Sequence, residues 1–520
     1  MLTAEDAEDE TGNALGVLGS AGSVIRRLLI ANRGEIAVRI IRACRELGIE
    51  SVAVYSEPDA RAMHVSAADR AVPIGPSAAA DSYLSSRRII DAARSTLADA
   101  VHPGYGFLAQ NASFAAACDR EGLIFVGPNA RTIADMGSKI ESRRIMQQAG
   151  VPVVAGDTPV DQTDEGISAA IDRVGLPALV KASAGGGGKG MRTVRERSEV
   201  AAEVPAARRE ALAAFGDGTL YVERLIERPR HVEVQVFGDR HGSVVHLFER
   251  ECSTQRRHQK VIEESPSPSI SPHLRAAVTD AAVRAARAVS YQSAGTVEFL
   301  VAPADGDDTR PPFYFLEMNT RLQVEHGVSE VVTGVDLVRA QLLVASGEQV
   351  PWRQETLTQR GHAIEARIYA EDPASGFLPQ AGRLLLYREP RMPGVRVDSG
   401  VAEGDEVSIH YDPLLAKVIA GAETRDLAMA RLASALRAFP VLGVRTNIPF
   451  LLRVIEHSAF RAGMVDTGFL DREGATLLEE PGPAPAFVAA AMAAHSAHER
   501  NSTHRAGTHS RVRDDPWDGS

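Results

Sequence analysis

Cysteine is scarce in this chain of 520 residues: Cys44, Cys118 and Cys252 stand far apart. Scattered thiols form neither a disulfide framework nor a metal-binding spacing, so a reducing, cytoplasmic setting is expected. Aromatic residues make up only 5%, and none of the apolar runs approaches bilayer-crossing length. No membrane span is therefore expected. A positive charge excess is also missing. Lys and Arg number 57 against 68 Asp and Glu, and the balance of −11 argues against a general nucleic-acid binder. Two common nucleotide fingerprints are absent. The turn Asn32-Arg33-Gly34-Glu35 has one glycine where a dinucleotide-binding turn needs three. Lys189 is followed by Gly190, not by Ser or Thr, which excludes a Walker A loop.

The densest chemistry lies in Phe315-Leu-Glu-Met-Asn-Thr-Arg-Leu-Gln-Val-Glu-His326. Glu317, Asn319, Arg321, Gln323 and Glu325 alternate there with Met318, Thr320, Leu322 and Val324. A period of two puts the polar groups on one face of an extended segment. Upstream, Gly295–Val301 reads as a strand, and the loop Pro303–Pro312 carries Asp-Gly and Pro-Pro turn signals. The pair is expected to form a hairpin with Glu298 beside Glu317. Two carboxylates so close repel unless a cation lies between them. Oxygen ligands with an amide from Asn319 suit Mg²⁺, which keeps positions free for phosphate. A nucleoside triphosphate site is the expectation. The glycine run after Lys181 supports it. Strands Ala178–Ala182 and Met191–Val194 flank four successive glycines, whose N–H groups can approach phosphate oxygens unhindered. Such a loop can also close as a lid.

Further motifs stand in a fixed order around these. They are Ala31-Asn-Arg-Gly-Glu-Ile36, His102-Pro-Gly-Tyr-Gly-Phe107, Gln255-Arg-Arg-His-Gln-Lys260 and Ile364-Glu-Ala-Arg-Ile368. Taken together, the motifs resemble biotin carboxylase, a member of the ATP-grasp superfamily, over residues 25–471. The resemblance implies an α/β fold in three parts: an N-terminal Rossmann-like pre-ATP-grasp domain, an ATP-grasp domain with a mobile lid, and a C-terminal mixed biotin carboxylase domain. Their expected extents are 25–138, 139–352 (lid 153–226) and 353–471. Residues 1–24, rich in acids where a mitochondrial presequence would be rich in Arg, are expected to be a disordered acidic extension. Residues 472–520, rich in Ala, Pro and polar groups, are expected to be a flexible tail.

The resemblance also implies roles. Lys139 and Lys181 match positions that hold ATP phosphates, and Gly187 and Gly188 match the lid backbone. Glu223, Arg224, Leu225 and Ile226 match the stretch that reads the adenine edge. His231, Gln255 and His258 match further nucleotide contacts. Glu298, Glu317 and Asn319 match ligands of Mg²⁺, with Mn²⁺ as a substitute. Lys260, Arg321, Gln323 and Val324 match the bicarbonate pocket, Val324 through its backbone. Glu325 matches the general base, and Arg367 the residue that stabilises the biotin enolate. An ion pair between Arg367 and Glu365, on one strand face, is the alternative reading of that arginine.

In the resembled reaction ATP activates bicarbonate as carboxyphosphate, and anionic biotin attacks the CO₂ released. No Ala-Met-Lys-Met acceptor is found in this chain, nor anything like a carboxyltransferase. The expected partners are a biotin carboxyl carrier protein or domain, a carboxyltransferase subunit and, as in the family, a second copy in a homodimer. The expected activity is the first half-reaction of an acyl-CoA carboxylase. Two alternatives are another bicarbonate-using ATP-grasp ligase of the carbamoyl-phosphate synthase kind, and a noncatalytic nucleotide-binding scaffold. Two departures from the family pattern stand out. Gly327 replaces a common proline and is expected to loosen the backbone after Glu325, and Ala109-Gln110 replaces Ser-Glu.

Overall fold

A computed structural model describes residues 25–183, 190–257, 259–303 and 311–478. Gly187, Gly188, His258, the N-terminal extension and most of the tail lie outside the described residues.

The chain opens with β1 (Arg27–Ile30), helix α1 (Gly34–Leu47) and β2 (Glu50–Ser56). β3 (Arg70–Gly75), β4 (Ala100–His102) and β5 (Ile124–Phe125) complete a parallel sheet in the order β3-β2-β1-β4-β5. α1 buries Ile36, Ile40 and Ala43 and stops at Gly48, whose φ of 68° is the left-handed conformation that caps helices. The Asn32 amide donates to the carbonyls of Pro103 (2.7 Å) and Tyr105 (2.6 Å). It thereby ties the first turn to the His102–Phe107 loop. Gly104 is required there, because a Cβ would lie 2.9 Å from the Asn32 amide nitrogen.

A second, four-stranded antiparallel sheet contains β6 (Gly156–Asp157), β7 (Ala178–Ala182), β8 (Met191–Val194) and β9 (Leu220–Arg224), in the order β6-β9-β7-β8. Helices Asp164–Val174 and Val200–Phe215 cover it. Ile167, Ile171, Val180, Ala207 and Val222 form its own small core.

The largest sheet has eight antiparallel strands. β10 (Arg230–Gly238), β11 (Val244–Arg256), β12 (Gln259–Ser265), β13 (Ser293–Val301), β14 (Phe313–Asn319) and β15 (His362–Tyr369) are joined by strands Leu414–Ala422 and Val395–Ser399. Because β12 pairs with β15, the sheet runs without a break past position 352. Helix Pro272–Ala288 packs on one face through Leu274, Val278 and Ala281, and its cap residue Ser271 accepts the Leu274 N–H. The β13–β14 hairpin forms with Glu298 directly opposite Glu317.

One expectation fails. The run 315–326 is not a single extended segment. β14 ends at Asn319, residues 320–325 turn away, and a helix starts at His326 (His326–Thr333). The turn carries Leu322 into full burial beside Ile36 and Ile40 of α1. That burial outweighs one more rung on an edge strand.

Candidate active site

A cavity of about 990 Å³ lies against the large sheet and reaches the small one. Every candidate residue among the described ones lines it, from Lys139 to Arg367.

At one end stand two lysines. The backbone N–H of Lys139, first residue of helix Lys139–Gln148, donates to the Ser183 carbonyl just past β7. This brings its side chain near Lys181 on β7. Burial and the neighbouring Lys181 push the Lys139 ammonium below its ordinary pKa. Lys139 makes no ion pair among the described residues, whereas Lys181 donates to Glu223 on β9 at 2.8 Å. Burial opposes the charge on Lys181, but Glu223 and Tyr221 outweigh it and raise its pKa. Arg143 steadies the same Glu223 from 2.6 Å. Arg224, Leu225 and Ile226 follow along the rim.

At the other end the β13–β14 pair presents Glu298, Glu317 and Asn319. Glu298 accepts from Lys260 (2.9 Å), Asn319 (2.8 Å) and Gln323 (3.3 Å), and His231 Nε2 lies 2.8 Å from its other oxygen. Burial would raise this carboxyl, but Lys260 and His231 hold it well below the usual carboxylate range. Glu298, Glu317 and Asn319 offer hard oxygen donors to the same cavity, a set that fits Mg²⁺. Two other close clusters, His231–Glu233–Glu298 and Glu233–Cys252–Glu325, have their ligand atoms within 4.8 Å of one another. The Lys260 ammonium contacts Glu233, Glu298 and Glu325, so a side-chain cation already stands among the carboxylates of both clusters.

Glu325 is completely buried between two cations. One oxygen accepts from Lys260 at 2.7 Å and the other from Arg367 at 2.9 Å. Burial raises its pKa, but the two cations outweigh burial and hold it well below the ordinary value. Lys260 is raised well above its own ordinary value by the three carboxylates, against the effect of burial. Arg321 is set differently. It donates to Gln110 (2.8 Å), Gln323 (2.9 Å) and the Leu322 carbonyl (3.1 Å), all neutral acceptors. Its charge is thus left for an anion, with Val324 and Gln323 beside it. Gln255 reaches the same cavity from β11, opposite Lys260 in the β11–β12 register.

The sequence reading missed the residues behind this layer. Arg367 pairs with Glu263 of the adjacent strand (2.6 Å) and with Glu325, not with Glu365. Glu365 is fully buried, with neither carboxylate oxygen hydrogen-bonded. Burial and Glu325 push Glu263 up to about 7 despite Arg367. Arg250, without exposed surface, holds Glu233 (2.6 Å), Gln235 (2.8 Å) and Ser329 (2.9 Å). The available signal was alternation in β10: His231, Glu233 and Gln235 share a face and alternate with three hydrophobic residues, Val232, Val234 and Val236.

Three family models match in chain order: "Biotin carboxylase, N-terminal domain" at 24–133, "Carbamoyl-phosphate synthase L chain, ATP binding domain" at 138–353, and "Biotin carboxylase C-terminal domain" at 365–472. Biotin carboxylase 1 of Bacillus subtilis (strain 168) is 50% identical over 449 residues, covering 86% of this chain and 98% of that protein. The mitochondrial methylcrotonoyl-CoA carboxylase subunit alpha of Rattus norvegicus is 51% identical over 458 residues. That match takes in 88% of this chain, which spans only 63% of the relative's length. Among solved structures, biotin carboxylase of Campylobacter jejuni in a nucleotide complex superposes with a TM-score of 0.83 at 41% identity, covering 86% of this chain and 99% of that one. The biotin carboxylase domain dimer of Hydrogenobacter thermophilus 2-oxoglutarate carboxylase, with MgADP, ADP and bicarbonate, gives 0.83 at 42% identity, covering 88% and 99%. With three family models matched in order and a relative covered over 98% of its length at half identity, the chain belongs to the biotin carboxylase family.

Proposed function

We propose that this chain carboxylates biotin, carried by a partner, with bicarbonate at the expense of ATP. The observation that carries the reading is Glu325, held between Lys260 and Arg367 at the end of a cavity whose far end has two lysines. Lys139 and Lys181 bind the triphosphate. Glu298, Glu317 and Asn319 would hold Mg²⁺, which would supply positive charge against the phosphates as negative charge develops on them. Arg321, Gln323 and the Val324 backbone seat bicarbonate. Glu325 takes the bicarbonate proton as the oxygen attacks the terminal phosphorus and ADP departs. The carboxyphosphate formed divides into CO₂ and phosphate; that phosphate takes the ureido N–H proton of biotin, and Arg367 stabilises the resulting enolate, which captures CO₂.

A carboxylate held far below its ordinary pKa is a weak base. Bicarbonate resolves this by competing for Lys260 and Arg367. As those cations turn to the substrate, Glu325 loses what depresses its pKa, and burial drives its basicity up.

The carrier, the carboxyltransferase and a homodimer belong to the same proposal, as do the three expected domain extents. So does a cytoplasmic location. All three cysteines are free and buried, although relatives from animals and plants are mitochondrial. No described helix is long and apolar enough to cross a membrane. A second reading is favoured by one observation, the carbamoyl-phosphate synthase name of the central family model. One assay separates the two. ATP cleavage is measured with magnesium and bicarbonate, adding free biotin or ammonia. Stimulation by biotin, with acid-labile labelled carbon fixed on it, supports biotin carboxylation. Stimulation by ammonia alone refutes it, and ATP binding without stimulation by either points to a scaffold.

A further inference from the structure

Lys417, on strand Leu414–Ala422, has no solvent-exposed surface. A buried ammonium costs several kcal/mol unless its donors are fully used. Its Nζ donates to the Val324 carbonyl at 2.6 Å, lies 3.3 Å from Glu35 and 3.9 Å from Asp398. Glu35 sits in the first turn of α1, and the Tyr105 hydroxyl donates to the same Glu35 oxygen. Asp398 is occupied by Arg396 through two contacts, at 2.6 and 3.0 Å. Lys417 therefore links the His102–Phe107 loop and α1 to the peptide that precedes Glu325.

That peptide needs outside support. The β14 ladder has ended at Asn319, and the helix begins only at His326. Between them the local restraints fall on other groups: His326 Nδ1 (2.8 Å) and the His326 N–H (3.3 Å) contact the Gln323 carbonyl, and Arg321 donates to the Leu322 carbonyl (3.1 Å), which leaves the Val324 carbonyl to Lys417. We propose that Lys417 is a positioning residue for the Val324–Glu325 turn: its ammonium, braced by Glu35 and Tyr105, fixes the carbonyl of Val324 and so aims Glu325 at the bicarbonate end of the cavity. An ammonium on that carbonyl also polarises the peptide toward Glu325. Facing Lys417 are Glu35, Asp398, Glu365, Arg396 and the His326 ring. Burial opposes its charge, but the acids outweigh burial and raise its pKa, so it stays charged at neutral pH.

The kinetic arm of the test rests on the biotin carboxylase reading; the structural arm does not. The double variant K417M/E35Q removes the ammonium and the carboxylate nearest to it together, while Asp398 keeps Arg396 and Glu365 keeps the attraction of Arg367. Amide hydrogen exchange is followed over residues 320–326, with nucleotide affinity, kcat and the bicarbonate KM measured alongside. The expected result is exchange in that segment faster by about tenfold, with ADP affinity within about twofold of the parent. Because small misplacements of reacting groups are costly, kcat falls by about tenfold or more and the bicarbonate KM rises. Unchanged exchange at 320–326 overturns the proposal. So does an equal loss of nucleotide binding and activity, which would make Lys417 merely structural. A parent chain without biotin-stimulated ATP cleavage refutes the function, while the exchange result still decides the role of Lys417.

Discussion

Replacing Glu325 by Gln is the sharpest perturbation of the site. The carboxylate accepts from Lys260 at 2.7 Å and from Arg367 at 2.9 Å. An amide has one oxygen and one NH₂, so it can accept from only one of the two cations; the other then faces a donor. Each cation nevertheless keeps a carboxylate, Lys260 at Glu298 (2.9 Å) and Arg367 at Glu263 (2.6 Å). Folding should therefore lose only the strength of one charged hydrogen bond, about 1.5–3 kcal/mol. The reaction should lose its base, a factor of about 10²–10⁴, or about 3–5.5 kcal/mol on the barrier. The sign of the pH effect follows from the depressed pKa. Such a carboxylate stabilises the fold above its unfolded value and loses that contribution only as pH falls through its lower folded value. In the free enzyme Glu325 is thus ionised throughout the assay range, and the parent-to-variant ratio of kcat/KM for bicarbonate stays flat from about pH 6 to about pH 9. The assay is biotin-stimulated ATP cleavage, with ADP binding as the control. A variant that binds ADP normally and turns over within about tenfold of the parent would refute the assigned base.

Three further outcomes follow from single contacts. Glu298→Gln should steeply raise the magnesium concentration needed for ATP cleavage, because it removes one of two anionic oxygen donors; an unchanged magnesium titration rejects that ligand. Arg425→Met strips Glu264 of its bidentate partner, at 2.7 and 3.0 Å, leaving His362 at 2.7 Å. Breaking a buried pair costs about 3–5 kcal/mol. In the parent the Glu264 pKa is lowered, its partners outweighing burial, so its contribution is lost only in acid. In the variant the lowering by Arg425 is gone while burial and His362 remain, so the Glu264 pKa moves up and the acid loss of its contribution should begin at higher pH than in the parent, read from thermal melts across pH. Gly400→Ala would put a Cβ 2.3 Å from the Glu35 backbone nitrogen and 2.6 Å from the Gly34 carbonyl carbon. Backbone cannot yield there as a flexible side chain can, and the melting temperature should drop by the equivalent of about 1–3 kcal/mol.

How far the sequence could be read depends on the range of the interactions involved. Glu298 opposite Glu317 was legible because alternation and turn residues are local signals. The bend after Asn319 was not, since it is set by the burial of Leu322 against α1, more than half the length of the chain earlier. The partner of Arg367 was likewise hidden. β12 and β15 are far apart in sequence, and only their pairing places Glu263 beside Glu365 and Arg367.

The same distinction settles the departure at Gly327. Read locally, a glycine after Glu325 predicts a loosened base. In the fold Gly327 is buried in a helical turn, and a Cβ there would meet the Ile419 side chain at 2.3 Å and a Glu365 oxygen at 3.1 Å. Packing from the C-terminal strands has taken up the freedom that glycine offers. The placement of Glu325 is imposed by Lys260 from β12, Arg367 from β15 and Lys417 through the Val324 carbonyl, none of them local in sequence. A substitution at 327 acts on the base mainly through Ile419 and Glu365, so its effect follows side-chain volume there more than backbone stiffness.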